Sequence, residues 1–130
     1  MRWKNLKTKK GTIEQSNSTS KYKNKKTIID GIKFDSKAEG EYYEFLRDNK
    51  QYEIIELQPK IYLTEARILY KPDFLVEKNG EQYYIDVKGV RTSVFNLKCR
   101  LWKKYGAGDL HLVKKKYKRF ETVEIVEVKK

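Results

Sequence analysis

The residues of this sequence best suited to chemistry are two aspartates and a lysine in its central part. Asn79-Gly80 predicts a two-residue hairpin turn, and the register set by this turn places Asp73 directly opposite Asp86. Facing residues in such a ladder have Cβ atoms about 4.5–5.5 Å apart, a separation at which two carboxylates repel each other. Lys88 points to the same side of its strand as Asp86, because side chains alternate along a strand. We therefore predict a cation between the two acids, with a lysine beside it.

The predicted cation and lysine suit reactions at phosphate groups. Carboxylate oxygens with retained water are typical ligands of Mg²⁺ or Mn²⁺, and we predict Mg²⁺ as the cofactor with Mn²⁺ as a substitute. Such an ion polarises a phosphate and lowers the pKa of bound water, while a nearby lysine stabilises developing negative charge. The structural alternative is an aspartate in a turn after Pro72, followed by a solvated strand face that carries Asp86 and Lys88.

Composition and missing motifs exclude several other kinds of active site. The 130 residues fit one domain, and the single cysteine, Cys99, excludes an intramolecular disulfide and a cysteine-built zinc site. The single histidine, His111, argues against zincins and histidine-dependent hydrolases. No phosphate-binding loop of the G-x-x-x-x-G-K-[ST] type occurs, so no nucleotide cofactor is predicted. No apolar run approaches the roughly 18 residues of a membrane span, and we expect a cytoplasmic protein with no membrane partner.

Basic residues are concentrated in two blocks of the chain, whose net charge is +12. Residues 1–26 hold nine basic residues and one acid, which predicts a flexible N-terminal arm ahead of a domain over residues 27–130. Residues 88–119 hold eleven basic residues and one acid. Both blocks suit contact with nucleic-acid phosphates, and charge kept for solubility is the alternative. The predicted phosphate-contacting residues are Lys98, Arg100, Lys103, Lys104, Lys114, Lys115 and Lys116.

Alternating and helical patterns predict the elements that position these residues. They are a hairpin over 28–34, a helix over about 36–49, extended segments over 53–63 and 67–77, a strand over 82–88, a helix over 93–105, and strands over 110–113 and 122–128. This order indicates a mixed α/β domain. In the strand over 82–88, Tyr84, Asp86 and Lys88 are predicted to share the face away from the core. The second helix is predicted to start at Ser93 as its cap, and its predicted apolar face comprises Val94, Leu97, Leu101 and Tyr105.

Glu39 is the acid of the first helix best placed to reach the sheet. Ser36 and Glu39 form an S-x-x-E capping box, and the apolar face of the helix centres near Tyr42. At 100° per residue, Glu39 lies about 60° from that centre, whereas Glu44 lies about 160° away on the solvated side. Two roles stay open for Glu39, which are not exclusive: partner of Ser36 in the cap, and contributor to the predicted site.

The segment from Pro72 to Gly89 resembles the PD-(D/E)xK nuclease signature, and in particular that of phage endonuclease I-type Holliday-junction resolvases and related small phage nucleases. Pro72-Asp73 is followed, after a gap of 12 residues, by Asp86-Val87-Lys88. The helix that precedes the segment carries the S-x-x-E box, as it does in those nucleases. The resemblance covers about residues 34–105 and implies a restriction-endonuclease-like core, in which a mixed central β-sheet is flanked by helices.

The resemblance also implies metal-dependent hydrolysis of phosphodiester bonds in DNA, with branched DNA such as the Holliday junction as the expected substrate. By match to the motif, Asp73 and Asp86 would be metal ligands, Glu39 a further ligand or water-holding residue, and Lys88 the catalytic lysine. Resolvases of this type act as dimers, so a homodimer is expected, in the host cytoplasm if a phage encodes the chain. Two alternatives stay open: a nuclease of other specificity, such as a nicking or single-strand DNase, and a non-catalytic nucleic-acid-binding protein on a nuclease-like fold.

Overall fold

The computed structural model describes residues 26–129, and the chain divides into two compact units on either side of the Lys37–Ala38 bond. In the first unit, strands β1 (Thr27–Ile29) and β2 (Ile32–Phe34) form the predicted hairpin. Its two turn residues both have positive φ, 54° at Asp30 and 77° at Gly31, as a type I′ turn requires. The predicted arm over residues 1–26 lies, except for Lys26, outside the described residues.

The second unit is built on a five-stranded mixed sheet with two helices. Its elements in chain order are α1 (Lys37–Asp48), β3 (Tyr52–Leu57), β4 (Ile61–Tyr62), β5 (Leu69–Tyr70), β6 (Phe74–Lys78), β7 (Glu81–Val87), α2 (Ser93–Tyr105), β8 (Leu110–Lys116) and β9 (Arg119–Val126). The sheet order is β3-β6-β7-β8-β9, and β4 and β5 form a separate two-stranded ribbon. All neighbours in the sheet are antiparallel except β7 and β8, which are parallel and joined through α2. These observations confirm the predicted mixed α/β class.

The β6–β7 hairpin has the register that Asn79-Gly80 predicted. Both turn residues have positive φ, 54° and 81°, and the ladder runs from the pair Lys78–Glu81 to the pair Phe74–Ile85. Asp73 is the residue that directly precedes β6, so it stands across from Asp86 at the open end of the ladder. A local turn therefore brings the two predicted acids together.

Side chains from both helices cover the sheet, one helix on each face. The ring of Tyr42 in α1 lies 5.7 Å from that of Phe74, whereas the ring of Trp102 in α2 lies 5.2 Å from that of Tyr84. The prediction that Tyr84 and Asp86 occupy a face away from the core is wrong, because Asp86 is 2% exposed. A parallel pair of strands needs a crossover connection, and here the crossover helix packs on the face that carries these residues.

The buried face of α2 also differs from the prediction. Its buried residues are Phe95, Cys99 and Trp102, while the predicted apolar face is largely solvated, with Val94 61% exposed and Leu97 47% exposed. The predicted set and the observed set both follow helical spacing, so periodicity alone does not determine which of them is buried. The set with the larger aromatic surface packs on the sheet, because burial of Phe and Trp side chains stabilises the fold most.

Both ends of α2 are fixed by hydrogen bonds. The cap is Thr92 rather than the predicted Ser93, since the Thr92 hydroxyl accepts a hydrogen bond from the Phe95 amide at 3.0 Å. At the other end, the Gly106 amide donates to the Trp102 carbonyl, and the Trp102 indole N–H donates to the Gly108 carbonyl at 2.7 Å. Within residues 26–129, neither helix is long and apolar enough to cross a bilayer.

Candidate active site

Asp73 and Asp86 form a pair of carboxyl groups at the open end of the β6–β7 hairpin, in which Asp86 is buried and Asp73 is partly buried. Asp86 lies on β7 and is 2% exposed, and the two side chains are within hydrogen-bonding contact of each other. The Asp73 carboxylate also accepts a hydrogen bond from the Val87 amide at 2.8 Å. The backbone of β7 next to Asp86 thus holds the Asp73 carboxyl group in place, and the predicted opposition of the two acids is present in the structure.

Burial is the main cause that raises the pKa of Asp73 well above its usual range. The negative charges of Asp86 and Glu39 raise it further, and the hydrogen bond from Val87 opposes the shift only in part. Two carboxylates in contact cannot both remain ionised at little cost in a buried position. In the absence of a cation, the pair therefore holds a proton at pH values where an exposed aspartate has lost it.

Two side chains, those of Tyr70 and Lys88, lie next to Oδ2 of Asp86. The hydroxyl of Tyr70 donates a hydrogen bond to Asp86 Oδ2, and burial together with the charge of Asp86 raises the pKa of Tyr70, so the phenol stays a neutral donor. Lys88 Nζ lies 3.7 Å from the same oxygen and 4.7 Å from the centre of the Phe95 ring. The Lys88 side chain is 36% exposed, so it extends from the buried Asp86 toward solvent.

Tyr70 is a residue of the candidate site that the sequence does not predict. The sequence places it three residues before Asp73 in an extended segment, and nothing in its type or spacing points to a carboxylate. Its role follows from the β4–β5 ribbon, which brings the phenol to the face of β7 that carries Asp86. The one general signal is that a buried carboxylate needs donors, and tyrosine is a donor whose body is apolar.

The donor set fits a hard divalent cation bound by two carboxylates. Mg²⁺ keeps several waters and binds through one or two carboxylates together with substrate phosphates, so the Asp73–Asp86 pair supplies enough protein ligands. Glu39 is partly buried in α1 and close enough for its charge to raise the pKa of Asp73. However, in the described part of the chain, no three acidic, histidine or cysteine side chains are grouped so that they could hold one metal ion. The role of Glu39 as a third ligand stays a prediction.

Asp73→Asn should stabilise the protein when no metal is present. Because the folded-state pKa of Asp73 is raised, the stability associated with its proton is present at low pH and is lost as pH rises above the unfolded-state value of about 4. We expect the variant to be more stable by about 1–2 kcal/mol at pH 8 in EDTA, which raises the melting temperature by roughly 5 °C, and equal to wild type near pH 4. The exposed Asp109→Asn is the matched control, and a lower melting temperature of Asp73→Asn at pH 8 would contradict the repulsion.

The seven predicted phosphate-contacting residues do not form one surface. Lys114 and Lys116 lie on the side of β8 that also faces Lys88, whereas Lys115 points to the other side and pairs with Glu41 of α1. The other four lie on α2, and of these Lys98 is the one near the acid pair, with its ammonium 5.8 Å from the Tyr70 ring centre. Arg100, Lys103 and Lys104 are exposed on the same helix.

The family of the chain is shown by a comparison with protein-family profiles. The profile described as "Protein of unknown function (DUF1064)" matches residues 19–122. The chain belongs to the DUF1064 family. The match includes Glu39, Asp73, Asp86 and Lys88, so the candidate site lies inside the family's own region. No curated protein and no solved structure matches the chain.

Proposed function

We propose that this DUF1064 protein is a Mg²⁺-dependent endonuclease that hydrolyses phosphodiester bonds in DNA. The observation that carries the proposal is the contact between the buried Asp86 and the partly buried Asp73, with Lys88 Nζ 3.7 Å from Asp86 Oδ2. Two opposed acids of this kind destabilise the metal-free fold, so a role in binding a cation is the physical reason to have them. The net charge of +12 suits a polyanionic substrate.

In the proposed reaction, the oxygen of a water forms a bond to the phosphorus as the bond to one sugar oxygen breaks. The water loses a proton and the departing sugar oxygen gains one. A bound Mg²⁺ would polarise the phosphate and lower the pKa of water. Asp73 and Asp86 would hold the ion, and Tyr70 keeps Asp86 in its orientation by donating to it. Lys88, whose side chain is partly exposed, would donate to a phosphate oxygen and stabilise the charge that develops on it.

We also propose that the domain has a restriction-endonuclease-like core. Three features support this. Helix α1 precedes the β6–β7 hairpin, and Asp86 lies on the central strand β7 with Lys88 directly after it. Helix α2 then leads to β8, which is parallel to β7. Selectivity for branched DNA and action as a homodimer are the finer parts of the proposal, and they rest on the resemblance to junction resolvases.

Metal-dependent cleavage that requires Lys88 is the expected result of the direct test. End-labelled four-way junction, linear duplex of the same sequence and single-stranded DNA are incubated with the protein in Mg²⁺, in Mn²⁺ and in EDTA. We expect paired nicks in the junction with either metal and none in EDTA, and we expect Lys88→Ala to cut at least about 10²-fold more slowly. Lys50→Ala, at an exposed lysine in the turn before β3, is the matched control.

Each other outcome assigns a different function. Equal cutting of all three DNAs retains the nuclease and excludes junction selectivity. Equal cutting by wild type and Lys88→Ala would contradict the site. Salt-sensitive DNA binding without any cutting, and without stabilisation by Mn²⁺, would support a non-catalytic binding protein instead.

A further inference from the structure

A small cavity beside the acid pair is lined by four basic side chains. Its volume is about 260 Å³, and its cations are those of Lys88, Arg91, Lys114 and Lys116. Leu112 and Val123 supply apolar surface to the same cavity. Among the residues that the structure describes, no acidic side chain lines it. The cavity is therefore a concave site of positive charge, and Lys88 belongs both to it and to the candidate active site.

The backbone of β8 sets the direction of two of these cations. Leu112 is buried on the face of the sheet covered by α2, and the alternation of a strand places Lys114 and Lys116 on that side. Lys115 points the other way, to Glu41. The side chains of Lys114 and Lys116 thus extend from the same face of β8 toward the end of β7. Lys88 is the residue that directly follows β7.

Arg91 is held in place before any ligand arrives. Its Nε donates to Asn96 Oδ1 at 2.9 Å and its Nη1 donates to Glu124 Oε1 at 2.5 Å. A guanidinium fixed by two partners loses little conformational entropy on binding an anion, and its planar fork suits phosphate oxygens. The Arg91 side chain is 41% exposed, so it remains accessible from the cavity.

The positive charge of the cavity is only partly balanced by the carboxylates around it. Lys88, Arg91 and Lys116 each have one carboxylate partner, namely Asp86, Glu124 and Glu121. Lys114 has no ion-pair partner among residues 26–129. With three carboxylates beside four cations among the described residues, one positive charge, that of Lys114, is not compensated, and an anion in the cavity would be attracted to it. The cavity is smaller than the roughly 300–1,000 Å³ of a site for a drug-sized ligand, and so suits a single phosphate group with part of its sugar.

We propose that this cavity binds a backbone phosphate of DNA next to the phosphate that is cut. The inference rests on the proposed function, because Lys88 joins the cavity to the Asp73–Asp86 pair. A phosphate bound by Lys114, Lys116 and Arg91 fixes the register of the DNA strand against the acid pair. Contacts to phosphates position a nucleic acid without reading its sequence, so the cavity selects for a nucleic-acid backbone and not for particular bases.

The test measures DNA binding in EDTA, so that it does not depend on cleavage. Fluorescence anisotropy with a labelled DNA duplex gives the Kd of the full chain over a range of salt concentrations. For Lys114→Gln/Lys116→Gln we expect the Kd to rise about tenfold. We also expect the slope of log K against log[salt] to decrease in magnitude by about one, the loss of one phosphate contact. Lys114→Arg/Lys116→Arg should bind as wild type.

Lys50→Gln/Lys60→Gln is the matched control, because it removes the same charge at two exposed lysines outside the cavity. An equal rise in Kd for this control would overturn the proposal, since the effect would then reflect net charge alone. Absence of DNA binding by wild type would also overturn it. The third outcome combines two results: pyrophosphate raises the melting temperature only when Lys114 and Lys116 are present, and the double variant binds DNA as tightly as wild type. These results would overturn the proposal and assign the cavity to a free phosphate compound.

The two proposals fail in different ways. A protein that binds DNA through Lys114 and Lys116 but never cuts it in Mg²⁺ or Mn²⁺ would contradict the nuclease and retain the phosphate site. A protein that cuts DNA, and whose Kd does not change in Lys114→Gln/Lys116→Gln, would contradict the phosphate site alone.

Discussion

Asp86→Asn is expected to slow metal-dependent DNA cleavage at saturating Mg²⁺ by at least about 10³-fold. The substitution keeps the shape of the side chain and an oxygen that can accept the hydrogen bond from Tyr70, but removes the negative charge that would hold the ion. Because the like-charge repulsion with Asp73 also disappears, the variant should fold at least as stably as wild type in EDTA. The measurement is single-turnover cleavage of labelled DNA, with melting temperatures recorded on the same preparations.

Asp109→Asn is the matched control for this prediction, since Asp109 is an exposed aspartate in the turn before β8. It should cut DNA at the wild-type rate. The assignment of Asp86 as a metal-binding residue would be wrong if Asp86→Asn retained cleavage within a few-fold of wild type. If Asp86→Asn lost cleavage because it unfolded, the expected stability would be contradicted. The melting curves of Asp73→Asn would then show whether loss of one negative charge from the pair is itself destabilising.

Gly106→Ala should destabilise the protein strongly at the C-terminal end of α2. A Cβ at position 106 would lie 2.5 Å from Trp102 Cε2 and 2.6 Å from Trp102 Nε1. The indole cannot move aside, because Trp102 is fully buried and its N–H donates to the Gly108 carbonyl at 2.7 Å. We expect a loss of about 2–3 kcal/mol in the free energy of unfolding. The melting temperature should fall by roughly 10 °C.

Gly108→Ala is the matched control two residues away. A Cβ there would lie 3.7 Å from the nearest atom, Tyr84 Cε1, which is ordinary van der Waals contact. The free energy of unfolding of the variant should therefore stay within about 0.5 kcal/mol of wild type. It could rise slightly, because alanine makes the unfolded chain less flexible than glycine does. Urea unfolding of both variants measures the difference. Equal losses of unfolding free energy in Gly106→Ala and Gly108→Ala would mean that the contact with Trp102 is not the cause of the destabilisation.

The parts of the structure predicted correctly from the sequence are those fixed by local interactions. Asn79-Gly80 determines its own turn type, and that turn alone determines which residues face each other along β6 and β7. The bounds of α2 were likewise predicted, because helix length depends on caps and composition near its ends. Local rules were sufficient to bring Asp73 opposite Asp86, although no local rule predicts the burial of Asp86.

The parts that the sequence did not predict depend on contacts between distant segments. Phe95 and Val94 are neighbours on α2, and only the position of the sheet decides that Phe95 is buried and Val94 exposed. The hydrogen bond from Tyr70 to Asp86 depends on the β4–β5 ribbon, whereas the sequence pattern predicts only extended chain in these segments. Likewise, the convergence of Lys114 and Lys116 on Lys88 requires β8 to pair with β7, a parallel pairing that no local pattern reveals.

The parallel pairing of β7 with β8 has a consequence for the order in which the site can assemble. Asp73 and Asp86 are brought together by a hairpin, so only a short loop must close. Lys114 and Lys116 reach Lys88 only after α2 has crossed over and Tyr84 has paired with Leu110. Longer loops cost more entropy to close, and non-local pairings form later in folding. The acid pair therefore belongs to the part of the chain that can form first, and the basic cavity to the part completed last. Hydrogen exchange in β8 should accordingly report when the basic half of the site opens while the hairpin remains closed.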